Sequence, residues 1–348
     1  MNIIIKAKKI LNDPNLIKHR DMWFTRLQNL FDNRPDDFNK EQVLSISGIC
    51  GNSSIPIYEN PELWVKECLE NLAEGANTSL TQNKFTPLCI ESDIYGVHFI
   101  DSIFGCEIFF QDGQWYNRYL GKEVGSLAKP DINKCEAWQI AKRAAEAFVR
   151  QEVSLPLFGL PTIASALNIA VNLYGDEILA AMLAEPENAR HDLKIINDTL
   201  CELHDWYRSI LPSAQLQPVI AYERTQPPGY GQICGCTTQL VSGEVYRDMI
   251  APLDAALLAV YPHGGMIHLC GAHQHIIPVL RDMPNLKAVQ INDRTAVDLE
   301  KFFTGLRNDQ IIYFMPCDEM SIDDAIKITG GDRLVIQKPP VGGSGNRP

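Results

Sequence analysis

The stretch His268-Leu269-Cys270-Gly271-Ala272-His273-Gln274-His275 follows the apolar residues Gly265-Met266-Ile267 and is the most informative part of this 348-residue chain. A second apolar run, residues 311–315, ends at Pro316-Cys317. Short apolar runs bounded by turn residues are typical of buried strands. Soft ligand atoms therefore follow two predicted strands, and the carboxyl ends of parallel strands meet at one face of a sheet. The pattern predicts an open metal site at that face.

From Phe85 onward the chain alternates short apolar runs with longer amphipathic stretches. The predicted strands are residues 96–100, 153–158, 217–222, 266–270, 286–291, 311–315 and 333–336, and the predicted helices are residues 135–151, 186–210, 243–260, 274–283, 295–305 and 321–329. Strands that alternate with helices of these lengths are typical of parallel βα units. The number of units and their short connections favour an α/β fold of the (β/α)8 TIM barrel type over an open sheet.

Two further segments flank the predicted barrel, which spans residues 86–340. Residues 1–85 are interpreted as an N-terminal helical extension, because residues 60–72 begin with Asn and Pro and continue with apolar residues at helical spacing. Residues 341–348 are rich in glycine and predict a flexible tail.

The composition excludes several classes of protein. Hydrophobic residues make up 45% and charged residues 21%, which is ordinary for a globular protein. A net charge of −12 argues against a nucleic-acid partner, because such proteins need a clustered basic face. No apolar segment reaches the roughly 18 to 20 residues of a membrane helix, and the N-terminus lacks the pattern of a signal peptide. We therefore expect a cytoplasmic protein without a membrane association, in which the ten scattered cysteines are mostly free thiols.

The metal prediction rests on strand geometry. Alternate side chains of a strand face the same side, so His268 and Cys270 point toward one centre. Cys317 ends another strand and is the expected third ligand. Mixed thiolate and imidazole ligands suit Zn2+, and three protein ligands leave a position at which an incoming thiol would lose its proton. The alternative is a chance pair of buried side chains, since the chain holds 8 His and 10 Cys.

Asp293 follows the predicted strand 286–291. It could be a fourth metal ligand, a partner of His268 or a contact of the substrate. The alternative is a helix N-cap before Thr295. Both interpretations remain open at this point.

Three further side chains are candidate catalytic groups. His273 and His275 could act as acid–base groups at the mouth of the barrel, or they could lie at the start of a helix without a catalytic role. Glu223 follows the predicted strand 217–222 and could be a catalytic carboxylate, although a solvated loop acid is the default interpretation. Cys234-Gly235-Cys236 lacks the two-residue spacer of a zinc knuckle, and packing of small residues is preferred there.

Two segments carry a family resemblance. Residues 242–253, SGEVYRDMIAPL, and residues 265–271, GMIHLCG, resemble two sequence blocks of the uroporphyrinogen decarboxylase superfamily. The resemblance spans roughly residues 85–340 and is strongest over residues 230–320. It implies a TIM barrel.

Within that superfamily, the resemblance favours the branch of zinc-dependent methyltransferases. These enzymes transfer a methyl group from a methylated corrinoid protein, a cobalamin carrier, to a thiol such as coenzyme M, and they use His-x-Cys and a later Cys as zinc ligands. His268 and Cys270 match that motif directly. Cys317 departs from it, because it ends the strand before the last one. The resemblance thus implies Zn2+ as a cofactor, a corrinoid protein as a partner and a small thiol as a substrate.

Two other functions remain as alternatives. A metal-independent decarboxylase of the same superfamily would carry the motif Arg-Gln-Ala-Gly-Arg-Tyr near its N-terminus, and this sequence has none. A non-catalytic barrel that binds a corrinoid or a thiol is the second alternative. The sequence does not determine the oligomeric state, and a homodimer is one arrangement that it allows.

Overall fold

The computed structural model describes residues 3–34, 43–81, 83–218 and 220–338, and for Ile3 the backbone alone. The segment 341–348, predicted to be a flexible tail, lies outside these residues. The described part of the chain is a mixed α/β structure in which most strands are parallel.

The strands are β1 (Leu44–Ile46), β2 (Ile49–Cys50), β3 (Leu88–Glu91), β4 (Ile108–Gln111), β5 (Gln114–Asn117), β6 (Leu157–Gly159), β7 (Leu216–Gln217), β8 (Gly231–Cys234), β9 (Gly265–Leu269), β10 (Leu286–Ile291), β11 (Ile311–Phe314) and β12 (Leu334–Gln337). The α-helices are α1 (Ile3–Leu11), α2 (Pro14–Phe31), α3 (Pro61–Gly75), α4 (Phe99–Ile103), α5 (Glu136–Arg150), α6 (Ala166–Tyr174), α7 (Asp176–Ala184), α8 (Pro186–Ile210), α9 (Ala221–Arg224), α10 (Gly243–Val245), α11 (Ala251–Leu258), α12 (Ile277–Asp282), α13 (Asp293–Val297), α14 (Leu299–Gly305) and α15 (Ile322–Thr329). A π-helical segment, Tyr246–Ile250, joins α10 to α11.

The parallel strands form two sheets, and the short segment between β1 and β2 connects one sheet to the other. The first sheet has the order β1-β12-β11-β10-β9-β8, and the second has the order β2-β3-β6-β7. Only Ser47 and Gly48 separate β1 from β2. Ile46 also forms a parallel bridge with Phe85, ahead of β3. β4 and β5 pair only with each other, as an antiparallel hairpin.

Side-chain amides connect the two ends of this series, β7 and β8. Gln217 Nε2 donates to the carbonyl of Gln226 at 2.9 Å, and the backbone N–H of Gln226 donates to Gln217 Oε1 at 2.9 Å. Gln226 Nε2 also donates to the carbonyl of Gly231 at 2.9 Å. No strand ladder joins β7 to β8 in the part of the chain that the structure covers. The glutamines therefore satisfy backbone groups that a closed sheet would pair.

The amino-terminal end of the sheet is filled by α2. The ring centroid of Phe31 lies 4.7 Å from that of Tyr230 and 6.3 Å from that of Tyr313. Trp23 stacks on Phe85 at 5.9 Å. Phe85 and Tyr230 both precede their strands, so α2 covers the end of the sheet opposite the carboxyl ends. Polar side chains that follow the strands are thus left at the other end.

The parallel sheet begins earlier than the sequence predicted. β1 and β2 lie within the predicted helical extension 1–85, yet Leu44 pairs with Val335 and Cys50 pairs with Cys89. These strands span three and two residues, which is too short for a period of two to be recognised. The predicted helix at 60–72 is confirmed as α3.

The apolar run at residues 96–100 was predicted to be a strand, and that prediction was wrong. Tyr95 and Gly96 have left-handed backbone angles, with φ of 58° and 57°, and they turn the chain after β3. Phe99 and Ile100 then lie buried in α4. The strand of this unit is β3, and β8 was also absent from the prediction.

In the part of the chain that the structure describes, no single helix is long and apolar enough to cross a membrane. α6 and α7 satisfy the length and composition of a span only when they are taken together, and they are bent by 110° at the break between them.

We predict that Gly265→Ala destabilises the protein. A Cβ at Gly265 would lie 2.2 Å from the carbonyl oxygen of Gly231 on the neighbouring strand, so the β8–β9 pair must separate. Such overpacking costs about 1–3 kcal/mol. Urea denaturation measures the loss. Gly75→Ala is the control, because its Cβ would meet nothing within 4 Å, and equal stability of the two variants would contradict the prediction.

Candidate metal centre

The candidate metal centre lies where β8 and β9 end side by side. These strands are parallel, and their register pairs Gly231 with Gly265 and Cys234 with His268. Cys236 and Cys270 follow two residues later on the respective segments. Paired residues of parallel strands present their side chains to the same face. The register therefore brings a Cys-x-Cys segment beside the His-x-Cys segment.

The ligand atoms of Cys234, Cys236 and His268 all lie within 4.8 Å of one another. Among the residues that the structure covers, they form the one group of three or more donors with this spacing. Cys236 Sγ is 3.3 Å from Cys234 Sγ and 2.9 Å from Cys270 Sγ. Two sulfurs on a tetrahedral Zn2+ lie roughly 3.8 Å apart, given Zn–S bonds of about 2.3 Å. The separation of the Cys234 and Cys236 sulfurs, 3.3 Å, is therefore within about 0.5 Å of that of two ligands of one ion.

The three thiols are electrostatically linked. Hydrogen bonding to Cys236 lowers the pKa of Cys234 to about 7, and it also lowers the pKa of Cys270. The pKa of Cys236 is raised, because its thiol is hydrogen-bonded to Cys234 and to Cys270. Buried Arg224 contributes to lowering the pKa of Cys234 and of Cys270, so its guanidinium lies near the cluster. The site thus concentrates thiolate character that a bound cation would neutralise.

A buried chain of amides orients the imidazole of His268. Gln337 Nε2 donates to the carbonyl of Glu223 at 2.8 Å, and Gln290 Nε2 donates to Gln337 Oε1 at 2.8 Å. Gln290 Oε1 therefore faces His268 Nδ1, with which it forms a hydrogen bond. Because a backbone carbonyl can only accept, it fixes the direction of every bond in this chain. His268 Nδ1 carries the proton, so in the neutral ring Nε2 is the nitrogen that can act as a metal ligand.

The first turn of α6 supports the Cys-x-Cys segment. Asn168 Nδ2 donates to Cys234 Sγ at 3.5 Å, and Asn168 Oδ1 accepts from the backbone N–H of Thr237 at 3.2 Å. The N–H of Ser165 donates to the carbonyl of Cys234 at 3.1 Å. These bonds hold the loop after β8 against α6.

Of the three predicted metal ligands, His268 belongs to the donor group and Cys270 contacts it through Cys236. Cys317 belongs to no group of three donors in the described ranges. It lies in a turn after β11, where it pairs with Met320. β8 is a direct neighbour of β9, whereas β10 separates β11 from β9. β8 and the segment after it thus bring two further thiols to His268, and a ligand role for Cys317 stays a prediction.

Asp293 lies close to Cys270, since its charge contributes to raising the pKa of that thiol. It is exposed and has a left-handed backbone with φ of 47°. The N-cap position of α13 belongs to Asn292, so the helix-cap interpretation of Asp293 is wrong. Left-handed non-glycine residues are uncommon and often occur at functional sites. A contact between Asp293 and a substrate stays a prediction.

The two histidines after β9 occupy different environments. His273 is buried, which lowers its pKa to about 4, and its Nδ1 lies 3.0 Å from Thr238 Oγ1. Its Nε2 has no hydrogen-bond partner among the described residues. His275 is exposed, and its Nε2 donates to the carbonyl of Val241 at 2.9 Å. His273 is thus a neutral imidazole that contacts the segment after β8, and His275 lies on the surface.

Glu223 is a buried residue of the short helix α9, so the default interpretation as a solvated loop acid is wrong. The predicted strand before it, 217–222, is reduced to β7, Leu216–Gln217. The charge of Glu223 contributes to raising the pKa of Cys89 in β3. Its carbonyl anchors the amide chain to His268. A catalytic role for its carboxylate stays a prediction.

Sequence reasoning did not find the roles of Cys234, Cys236, Gln290 and Arg224. The first pair carried a signal, because a Cys-x-Cys segment at the end of a strand follows the same alternation that selected His268 and Cys270. Gln290 lies in a predicted strand but carries no motif. Arg224 comes near the thiols only through the folded chain.

Comparisons with known proteins give one informative finding. No family model matches this sequence, and no curated protein matches it. A solved structure of a methyltransferase from Methanosarcina mazei is similar in fold, with a TM-score of 0.60 over 91% of this chain and 92% of that chain. The sequence identity is 13%. At this identity the similarity establishes a shared fold.

We predict that Cys236→Ser abolishes zinc binding, because Cys236 is a member of the donor group and contacts Cys270. Cys317→Ser, the matched control, should retain one zinc per chain. Elemental analysis of both purified variants, beside the parent protein, gives the stoichiometry. Loss of zinc from Cys317→Ser with retention in Cys236→Ser would restore the ligand set predicted from the sequence.

We also predict that Gln290→Met weakens zinc binding by about 10- to 100-fold, since His268 loses the acceptor that fixes its tautomer. Competition with a chromophoric chelator measures the affinity. Gln310→Met is the control, because Gln310 is equally buried but bonds to the carbonyls of Leu280 and Leu286. Equal zinc affinity in the two variants would contradict the role assigned to Gln290.

Proposed function

We propose that this protein is a zinc-dependent methyltransferase that transfers a methyl group to a thiol. The observation that carries the proposal is the group of Cys234, Cys236 and His268 at the carboxyl ends of parallel strands. The fold shared with a methyltransferase supports the reaction class. The donor group also favours this function over a metal-independent decarboxylase, which would have no use for three thiols beside an oriented imidazole.

We also propose a fold and a superfamily for this chain. We regard the two parallel sheets as a (β/α)8 TIM barrel that is opened between β7 and β8. The likeness of residues 242–253 and 265–271 to the uroporphyrinogen decarboxylase superfamily supports this view. The chain departs from the methyltransferase branch of that superfamily in its thiols, because we propose Cys234, in β8, and Cys236, just after β8, as ligands in place of Cys317.

The residues present fit Zn2+ by the chemistry of their donor atoms. His268 would bind through Nε2, and Cys234 and Cys236 would bind as thiolates. Cys270 would either complete the ligand set or leave a position for the substrate. A bound zinc ion lowers the pKa of a coordinated thiol and keeps it as a thiolate at neutral pH.

The protein's own groups prepare the site for that chemistry. The amide chain through Gln290 holds His268 in one tautomer. Arg224 places a buried positive charge near the thiols, where it stabilises negative charge. The buried imidazole of His273 is neutral, and because Thr238 Oγ1 donates to the carbonyl of Gly235, His273 Nδ1 carries the proton and Nε2 is left as an acceptor.

We further propose that the methyl donor is a methylated corrinoid carried by a partner protein in the cytoplasm. The thiol would first release its proton, and its sulfur would then attack the methyl carbon. A sulfur–carbon bond forms and the cobalt–carbon bond breaks, with the electron pair remaining on cobalt. The products are a methyl thioether and a reduced corrinoid.

Incubation of the zinc-loaded protein with methylcobalamin and a panel of small thiols tests this function. We expect a methylated thiol, detected by mass spectrometry, and an equimolar loss of methylcobalamin, followed by its absorbance. Cys236→Ser should lower the rate at least 100-fold, whereas Cys317→Ser should retain it. Zinc binding without any transfer would favour a non-catalytic barrel that binds thiols or corrinoids.

A further inference from the structure

A cavity of about 590 Å³ lies apart from the metal centre and shares none of its residues. Its walls come from the loops after β2 and β3, from the β4–β5 hairpin and from the start of α5. The aromatic lining residues are Tyr58, Tyr95 and Trp115. The charged lining residues are Asp131, Lys134 and Glu136. This combination of aromatic rings and carboxylates favours a positively charged ligand.

The three rings form a corner with differently directed faces. Trp115 meets Tyr95 at 66° with ring centroids 4.9 Å apart, and it meets Tyr58 at 87° with centroids 5.9 Å apart. None of the three side chains is fully buried. Each of the three residues lines the cavity and keeps some accessible surface. Aromatic faces carry negative electrostatic potential and attract cations within about 6 Å of the ring centroid.

The backbone of Tyr95 is held in an unfavourable conformation to place its ring there. Its φ of 58° and ψ of 24° are left-handed, which is uncommon for an aromatic residue. Such conformations cost about 1–3 kcal/mol and persist where the surrounding structure demands them. In this conformation the Tyr95 ring packs on Trp115 and Tyr58, and that packing offsets part of the cost.

The charge of the cavity wall is negative. Asp131 pairs with Lys134 at 2.9 Å, so these two charges cancel. Glu136 forms no ion pair with any residue that the structure describes, and it is exposed. It lies near Tyr95, since its charge, after burial, contributes to raising the pKa of that phenol. One uncompensated carboxylate thus faces the same space as the aromatic corner.

We propose that this cavity binds a small organic cation of the quaternary ammonium type. An alkylated ammonium group combines apolar surface for the rings with a positive charge for Glu136. Free anions are disfavoured by the net charge of the wall. A neutral apolar ligand would displace water from Glu136 without bringing a positive charge to the carboxylate, which costs free energy.

Calorimetric titration of the full chain with choline and with 3,3-dimethylbutan-1-ol tests the proposal. The two molecules have the same shape and hydroxyl group, and only choline is charged. We expect saturable binding of choline and at least tenfold weaker binding of the neutral alcohol. Equal binding of both molecules, or binding of neither, would overturn the proposal. The titration is repeated with metal-depleted protein, so its outcome is independent of the proposed methyl transfer.

Variants assign the binding to this cavity. Trp115→Leu and Glu136→Gln should each weaken choline binding at least tenfold. Glu146→Gln is the matched control, because Glu146 lies on the same helix, α5, and does not line the cavity. Thermal melting verifies that each variant is folded, and Glu136→Gln is an exposed substitution that should not change stability. Unchanged choline affinity in folded Glu136→Gln would also overturn the proposal.

Discussion

The in-register pairing of β8 with β9 is the interaction on which the candidate metal centre depends. Gly231 lies opposite Gly265, and Cys234 lies opposite His268. The two glycines permit an approach that a Cβ would prevent, since a Cβ on Gly265 would lie 2.2 Å from the carbonyl oxygen of Gly231. A slip of one residue would turn Cys234 to the other face of the sheet. Small residues at the start of both strands thus set the geometry of the thiols at their ends.

Buried amides then determine which atoms are available for chemistry. The chain from the carbonyl of Glu223 through Gln337 and Gln290 to His268 crosses the interior beneath the site. It joins α9, β12, β10 and β9, which are distant in sequence. Between β7 and β8, where no strand ladder forms among the described residues, the side chains of Gln217 and Gln226 hydrogen-bond to backbone groups. Polar side chains in this core therefore serve the architecture and the site together.

α6 connects the metal centre with the aromatic hairpin. Asn168 in its first turn bonds to Cys234, and the carbonyl of Asn172 in its last turn accepts from Asn117 Nδ2 of β5 at 2.7 Å. The N–H of Leu120, after the hairpin, donates to the carbonyl of Leu173 at 2.8 Å. The donor group and the cavity beside Trp115 are thus supported by opposite ends of one helix. The proposed zinc ion and the proposed organic cation would therefore bind near opposite ends of α6.

The sequence by itself determined the alternation of strands and helices over the second half of the chain, the α3 helix, and the position of His268 and Cys270 together at the end of one strand. These features depend on local periodicity and on the alternation of side chains within one strand. Tertiary structure alone decided which strand lies beside β9, and hence that Cys234 and Cys236 approach His268. It also decided the tautomer of His268, because Gln290, Gln337 and Glu223 meet only in the folded chain. Local patterns specify elements, whereas a site built between strands depends on their order and register, which long-range packing sets.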